Sequence, residues 1–140
     1  MKKKVLVCFD FEKDRHYKSL LDAWDANRNF EFSFADVTPS EIKSDSVSVV
    51  KANLTKKINE ADITLVLIGK DADKAHPDRE KIGYRNWQIF EIERSKDNGN
   101  TLIAVKLDSA NVSPAAILGC GAIWVKSFNE EDIVAAINKV

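Results

Sequence analysis

The chain has 140 residues, which fits one domain (residues 1–140) with a substantial core and leaves no room for a second. Its formal net charge is -1 with both signs interspersed, so no overall field would attract nucleic acid or an anionic membrane. No apolar run approaches the roughly 20 residues of a membrane helix, and the basic start precedes a strand too short for a signal peptide, so we expect a cytoplasmic protein.

Cysteine and histidine are sparse along the chain. Cys8 lies inside an apolar strand pattern, and Cys120 lies between two glycines. His16 and His76 are isolated from both. This spacing matches no common metal-ligand pattern, so we expect no metal site, no disulfide and no Cys-His nucleophile.

Five short apolar runs alternate with amphipathic segments. We predict strands at residues 4–9, 30–35, 63–68, 102–107 and 122–125. Strands that alternate with helical patterns are typical of an α/β domain with a parallel sheet. The continuously apolar run Leu65-Val66-Leu67-Ile68 indicates a central strand covered on both faces.

Helical patterns occupy most of the connections between these strands. In the first connection, apolar residues recur at helical spacing between a cap at Asp14 and an end near Asn27; they are Tyr17, Leu20, Leu21 and Trp24. The second helix follows Ser44-Asp45 and has one apolar stripe, consisting of Val47, Val50, Leu54 and Ile58.

Two further helices are predicted in the second half of the chain. One runs from about Asn86 to Lys96 and is stopped by Asn98-Gly99. The other begins at residues 129–131 and should bury three apolar residues, Ile133, Ile137 and Val140. The connection at residues 109–121 has space for only one or two helical turns.

Right-handed crossovers in a chain of this length favour a flavodoxin-like sheet of five parallel strands in the order 2-1-3-4-5, with helices on both faces. Its ligand crevice lies beyond the carboxyl ends of the strands, at residues 10–15, 36–46 and 69–85. We interpret the charged part of the last loop, residues 71–81, as a mobile flap, with an ordered active-site lid as the alternative.

Familiar members of this architecture do not fit those loops. A phosphoacceptor receiver needs an aspartate at the end of strand three, where this chain has Gly69-Lys70. A flavodoxin needs a hydroxyl-rich and glycine-bearing phosphate loop after strand one, where this chain has Asp10-Phe11-Glu12. Neither a Gly-rich dinucleotide fingerprint nor a Walker sequence is present.

A series of segments remains, made of three strand segments and one helix pair. The strand segments are Val5-Leu6-Val7-Cys8-Phe9-Asp10, Phe34-Ala35-Asp36-Val37 and Ile58 through Ile68. The helix pair is Trp87 and, four residues later, Glu91. In order and spacing this series resembles the TIR domain. More narrowly, it resembles the family of short bacterial and archaeal TIR-like proteins that includes the Thoeris antiphage component. The resemblance covers nearly the whole chain, and the Trp-x-x-x-Glu spacing is its most specific part.

The resemblance implies that Glu91 is the carboxylate that cleaves the bond between nicotinamide and ribose in NAD, which would be a substrate and not a cofactor. A carboxylate can stabilise the oxocarbenium-like sugar that this cleavage creates. Nicotinamide is a good leaving group, so a partner acid is not strictly needed. Capture of the sugar by water or by adenine would decide between hydrolase and cyclase, and both remain open.

The resemblance also suggests supporting roles. Asp10 and Phe11 match the loop that lines the TIR pocket, and Asp36 starts the loop after strand two, which TIR domains commonly use for self-association. Trp87 is interpreted as a pocket wall beside nicotinamide or as core packing against the sheet. For Glu91 the alternative is a solvated helix carboxylate paired with Arg94 or Ser95.

The chain departs from the family pattern at two places, and other functions compete with NAD cleavage. Cys8-Phe9 replaces a common Ser-Tyr pair, and Gln88 takes the place of a residue that is often small. A cyclic ADP-ribose isomer would act as a signal to a separate effector. The rival functions are a non-enzymatic interaction or scaffold module and a transferase that uses the same carboxylate on another N-glycoside.

Overall fold

The five apolar runs form a single parallel sheet in the computed structural model, which describes residues 3–10, 16–17, 19–23, 32–35 and 46–140. The strands of that sheet are β1 (Lys3–Cys8), β2 (Phe32–Ala35), β3 (Ile63–Ile68), β4 (Thr101–Lys106) and β5 (Ile123–Val125). They are hydrogen-bonded in the order β2-β1-β3-β4-β5, and every neighbouring pair is parallel. The predicted α/β class with a parallel sheet is confirmed.

Helices connect the strands, and all of them except Arg79–Ile82 lie where the periodicity predicts a helix. They are α1 (Val47–Glu60), α2 (Arg79–Ile82), α3 (Trp87–Asp97) and α4 (Glu130–Asn138). Residues 16–17 and 19–23 are also helical. The crossover from β4 to β5 contains a short 3₁₀ helix, Ala115–Ile117, in agreement with the one or two turns predicted there. The cap predicted at Asp14, Trp24 and the helix end predicted near Asn27 lie outside the described residues.

Alternate residues of the central strands point to opposite faces of the sheet, and each face has its own core. Val7 and Leu65 face the side covered by α4, whose Ile133 and Ile137 are buried there. Cys8, Val66 and Ala104 are on the other side, which is covered by Ile92 of α3. Helices therefore cover both faces of the sheet.

Helix α3 also packs against α1, which lies on the same face of the sheet and buries Ile58 against Leu6 of β1. The contact is a cluster of buried apolar side chains: Val50 and Leu54 of α1, Ile82 of α2 and Phe90 of α3. Helix α3 ends where the sequence predicts, because Asn98 caps it and Gly99 follows with a φ of 77°, a left-handed conformation that glycine adopts without strain.

Two apolar residues that belong to the helical patterns of the sequence are exposed, and one of them, Val140, was predicted to be buried. Leu20 is 46 % exposed, whereas its neighbour Leu21 is fully buried. Val140 is 38 % exposed because α4 ends at Asn138, two residues before the apolar stripe would bring Val140 back to the core. Helical periodicity predicts the direction of a side chain only while the helix continues.

The carboxyl ends of the parallel strands lie along one edge of the sheet, called here the carboxyl edge. The long connection from β3 to α3 begins at this edge. The His76 backbone N–H donates to the Arg85 carbonyl at 2.8 Å, and α2 occupies the end of the connection. The segment interpreted as a mobile flap is thus folded back on itself and joined to α3.

Candidate functional site

Helix α3 presents two different faces to two different neighbours. Residues at positions i, i+3, i+4 and i+7 lie on one face of a helix, and here they face the sheet and are all buried; they are Gln88, Glu91, Ile92 and Ser95. Trp87, Phe90 and Arg94 lie on the adjacent face, which packs toward α1. A polar stripe on α3 therefore lies against an otherwise apolar sheet.

Glu91 is the acidic member of this stripe and is only 3 % exposed. Its carboxylate is hydrogen-bonded to the thiol of Cys8, the last residue of β1. Ser95 instead bonds to Thr64 at 2.7 Å between hydroxyl oxygens, and an Arg94 guanidinium nitrogen lies 3.8 Å from a carboxylate oxygen of Asp97. Glu91 is thus a buried carboxylate at the carboxyl edge, whereas the alternative interpretation expected a solvated one.

Gln88 joins α3 to the two central strands. Its side-chain amide donates to the Leu67 carbonyl at 2.8 Å and to the Cys8 carbonyl at 3.4 Å. In return, the Cys8 thiol lies 3.5 Å from the Gln88 backbone carbonyl. Because a buried amide needs hydrogen-bond partners, these contacts hold the start of α3 against β1 and β3.

Asn86 caps α3 and holds the preceding loop. Its side-chain oxygen accepts from the Ile89 N–H at 2.8 Å, which satisfies one of the free donors at the helix start. Its side-chain nitrogen donates at 2.9 Å to the carbonyls of both Ala72 and Lys74. One side chain thus fixes the start of the helix and two points of the loop.

We expect Asn86→Ala to lower the free energy of unfolding by about 2–4 kcal/mol, because it removes a helix cap and leaves two loop carbonyls unpaired. The matched control is Asn129→Ala, since Asn129 caps α4 by accepting from the Asp132 N–H at 2.8 Å. That control should cost about 1 kcal/mol. Urea denaturation measures both, and equal losses would show that the contacts to Ala72 and Lys74 add nothing.

Trp87 lies at the junction between helices and not over the sheet. Its ring meets Phe90 edge-on, with ring centroids 5.7 Å apart and an interplanar angle of 86°. It packs, partly buried, on the cluster of Val50, Leu54, Ile82 and Phe90. Trp87 and Glu91 therefore share one helix but contact different neighbours.

The other predicted site residues follow strands at the same edge. Asp10 is partly buried two residues beyond the end of β1, next in the chain to the buried Phe9. Phe11 and Asp36 lie outside the described residues. The structure thus brings Glu91 together with the end of β1, which is the segment that carries Asp10.

The Cys8 thiol is completely buried against this carboxylate. Burial raises the pKa of the Cys8 thiol well above the usual 9.0, and the charge and hydrogen bond of Glu91 raise it further, whereas a hydrogen bond from Gln88 lowers it. Both buried and beside an anion, Cys8 stays a neutral thiol that can donate to Glu91.

This raised pKa predicts a loss of stability in alkali. The unfolded chain releases the thiol proton near 9.0 whereas the folded protein keeps it, so the stabilisation is fully present below about pH 9 and falls as the pH rises further. Cys8→Ser removes this titration. We expect the difference in free energy of unfolding between wild type and Cys8→Ser to shrink from about pH 8 to about pH 10, as measured by urea denaturation. A constant difference would contradict the prediction.

A cavity of about 490 Å³ lies where the start of α1 approaches α2. It is lined by Ser46, Val47, Ser48, Lys51 and Lys81. Its position places it on the helix layer rather than on the sheet.

Among the described residues, no group of three or more His, Cys, Asp or Glu side chains is arranged to hold a metal ion. No described helix is both long and apolar enough to cross a membrane.

Sequence reasoning missed the roles of Cys8 and Gln88. It took Cys8 as an apolar strand residue and noted Gln88 only as a departure from a family pattern. A signal was present, because Gln88, Glu91 and Ser95 recur at the spacing of one helix face that also carries Ile92. Polar residues on a stripe that must be buried require partners, and the end of β1 supplies them.

Comparisons with known proteins agree with this architecture. The family model described as "Thoeris protein ThsB, TIR-like domain" matches residues 6–112. A comparison with curated proteins finds no match. Among solved structures, a 2-desoxiribosyltransferase from Leishmania mexicana is similar in fold, with a TM-score of 0.61 at 11 % sequence identity over 97 % of each chain.

The matched residues include the second half of β1 (residues 6–8) and all of β3, β4 and α3, and therefore the buried stripe with Glu91 and the strand ends that it contacts. The match covers more than half of the chain. The protein belongs to the family of Thoeris ThsB TIR-like domains.

Proposed function

We propose that this domain cleaves the bond between nicotinamide and ribose in NAD, with Glu91 as the catalytic carboxylate. The observation that supports this most is the burial of Glu91 at the carboxyl edge, against the end of β1, in a chain of the TIR-like family. In sheets of this order the crevice lies where the strand order reverses, which here is between β1 and β3.

The reaction needs one bond broken and one formed. The bond from the ribose anomeric carbon to the pyridinium nitrogen breaks, and its electron pair leaves with neutral nicotinamide. The sugar becomes an oxocarbenium-like cation, which the negative charge of Glu91 stabilises. Water then adds and releases a proton to give ADP-ribose, or a nitrogen of the adenine adds to give a cyclic isomer.

Burial makes a carboxylate more effective in this role. The interaction of two charges grows as the local dielectric constant falls, so a carboxylate withdrawn from water stabilises a nearby cation more strongly than a solvated one. A group already fixed by hydrogen bonds also needs no reorganisation when the charge develops. Glu91 meets both conditions, since it is buried and bonded to Cys8.

The biological role that we propose is signalling in antiphage defence, in line with the Thoeris family. The product, ADP-ribose or a cyclic isomer of it, would act on a separate effector. Self-association through the loop after β2, which begins at Asp36, would regulate the activity. NAD is the substrate of this reaction and no further cofactor is invoked.

The direct experiment incubates the purified protein with NAD and follows nicotinamide, ADP-ribose and cyclic products by chromatography, over a range of protein concentrations. Release of nicotinamide by wild type and its loss in Glu91→Gln support the proposal. Release by neither, at high protein concentration included, would favour a non-enzymatic interaction module. The identity of the second product then separates hydrolase from cyclase.

A second candidate is a transferase acting on another N-glycoside. It is suggested by the solved structure with a similar fold, which is a 2-desoxiribosyltransferase. The same carboxylate could stabilise the sugar cation of a nucleoside. Incubation with a 2′-deoxynucleoside and a second free base distinguishes the candidates, because base exchange without nicotinamide release from NAD would favour the transferase.

A further inference from the structure

Gln88 makes the contact that locks α3 to the sheet at the point where the strand order reverses. Its amide reaches the carbonyls of Cys8 on β1 and Leu67 on β3, which are adjacent strands. It is 6 % exposed, so both hydrogen bonds form away from water. A buried amide that lost these partners would incur a desolvation penalty. Positions of α3 that keep both hydrogen bonds are therefore more stable than positions that break them.

Cys8 connects this contact to the carboxylate. Its thiol lies 3.5 Å from the Gln88 backbone carbonyl and is hydrogen-bonded to the Glu91 side chain. Gln88 and Glu91 are three residues apart on α3, so Cys8 lies between two members of the same helix face. The three side chains therefore form one buried unit that spans β1, β3 and α3.

A carboxylate of this kind needs its position fixed by its neighbours. A displacement of about 1 Å at a reacting group can lower the rate by about 100-fold. Within the described residues, Glu91 sits in the second turn of α3, and the first turn is fastened to the sheet by Gln88. A shift of that turn would move Glu91 relative to the end of β1.

We propose that Gln88 is a positioning residue for Glu91: its amide fastens the start of α3 to β1 and β3, and the Cys8 thiol held between the two side chains carries that position to the carboxylate. The inference rests on the proposed function of Glu91. Gln88 itself takes no part in bond breaking.

The test compares Gln88→Ala with Ser95→Ala. Ser95 is the matched control, because it lies on the same face of α3 and is also buried. It lies toward the other end of α3, where its hydroxyl bonds to Thr64 of β3. Gln88→Ala loses two buried hydrogen bonds and Ser95→Ala loses one, so both variants should lose stability. Only Gln88→Ala should lower kcat for nicotinamide release, by about 10- to 100-fold, with little change in KM.

The thiol provides a rescue within the same unit. Cys8→Ser keeps a hydrogen-bond donor beside Glu91, and Cys8→Ala removes it. We expect kcat to remain near the wild-type value in the serine variant and to fall in the alanine variant. Equal kcat values in these two variants would contradict the proposed role of the Cys8 thiol in holding Glu91.

A second measurement does not depend on activity. The chain has two cysteines, so a Cys120→Ser background leaves Cys8 as its one thiol. A buried thiol reacts with a thiol reagent only when the structure opens locally. Gln88→Ala should increase the labelling rate of Cys8 more than Ser95→Ala does.

These measurements separate the two proposals. If wild type releases no nicotinamide, the proposed function fails, and the labelling rates alone decide whether Gln88 fastens α3 to β1. An unchanged kcat in Gln88→Ala of an active enzyme overturns the positioning role. Labelling that is no faster in Gln88→Ala than in Ser95→Ala overturns it as well.

Discussion

Replacing Glu91 by glutamine is expected to lower kcat for nicotinamide release by about 100- to 1,000-fold, the loss typical when one electrostatic contact to the transition state is removed. Glutamine has nearly the same shape and can still accept a hydrogen bond from the Cys8 thiol. It lacks the negative charge that stabilises the sugar cation. The substitution therefore separates charge from shape.

The matched control for this prediction is Glu93→Gln. Glu93 lies two residues further along α3, and its carboxylate pairs at the surface with the Lys96 ammonium at 2.8 Å. The same change in charge there should leave kcat near the wild-type value. Circular dichroism of both variants verifies folding, and steady-state kinetics measures the loss. Wild-type kcat in Glu91→Gln would exclude Glu91 as the catalytic carboxylate.

Phe90→Ala is expected to lower the free energy of unfolding by about 3–5 kcal/mol, a large part of the 5–15 kcal/mol that stabilises a typical domain. Phe90 is fully buried where α1, α2 and α3 meet. Its ring meets Trp87 and Tyr84 edge-on, and the side-chain cations of Lys51 and Arg94 lie 5.7 Å from its centroid. Truncation removes all of these contacts and leaves a cavity.

Urea denaturation followed by circular dichroism measures this loss. Phe90→Leu should recover most of the stability, because leucine fills much of the same volume. Leu118→Ala is the exposed control: Leu118 is 55 % exposed, and its truncation should change stability by less than about 0.5 kcal/mol. A similar small loss in Phe90→Ala would show that the junction of the three helices does not contribute to the stability of the domain.

The strands and most helices could be predicted because their signals are local. The predicted strand at residues 63–68 coincides with β3, since a strand buried on both faces is apolar at nearly every position, here all but Thr64. The start of α3 was predicted at about Asn86, and Asn86 caps the helix in the structure. Periodicity alone was misleading at Val140, which follows the end of α4, and at Leu20, which is exposed beside the buried Leu21.

The candidate site could be predicted only in part. The helical spacing of Trp87 and Glu91 suggested that both line one crevice. In the structure, one face of α3 packs on the sheet and the next packs on α1, which lies beside α3 on the same side of the sheet. Two side chains that point in nearby directions from one helix therefore meet different neighbours. A periodic pattern gives the direction of each side chain, but the number of surfaces around the helix depends on the tertiary fold.

The contacts of Gln88 were beyond local reasoning for a different reason. Cys8 and Gln88 are 80 positions apart in the chain, and their pairing requires β1 and β3 to be adjacent with α3 packed across them. No spacing rule within one element predicts such a contact. It follows from topology and from the requirement that buried polar groups find partners.

On one side the sheet ends in β5, a strand of only three residues. An unpaired strand edge can recruit the backbone of another chain, and the reach of that contact is set by the number of exposed amide and carbonyl groups. An edge as brief as that of β5 gives a second chain little to extend, so strand addition on this side of the sheet is disfavoured.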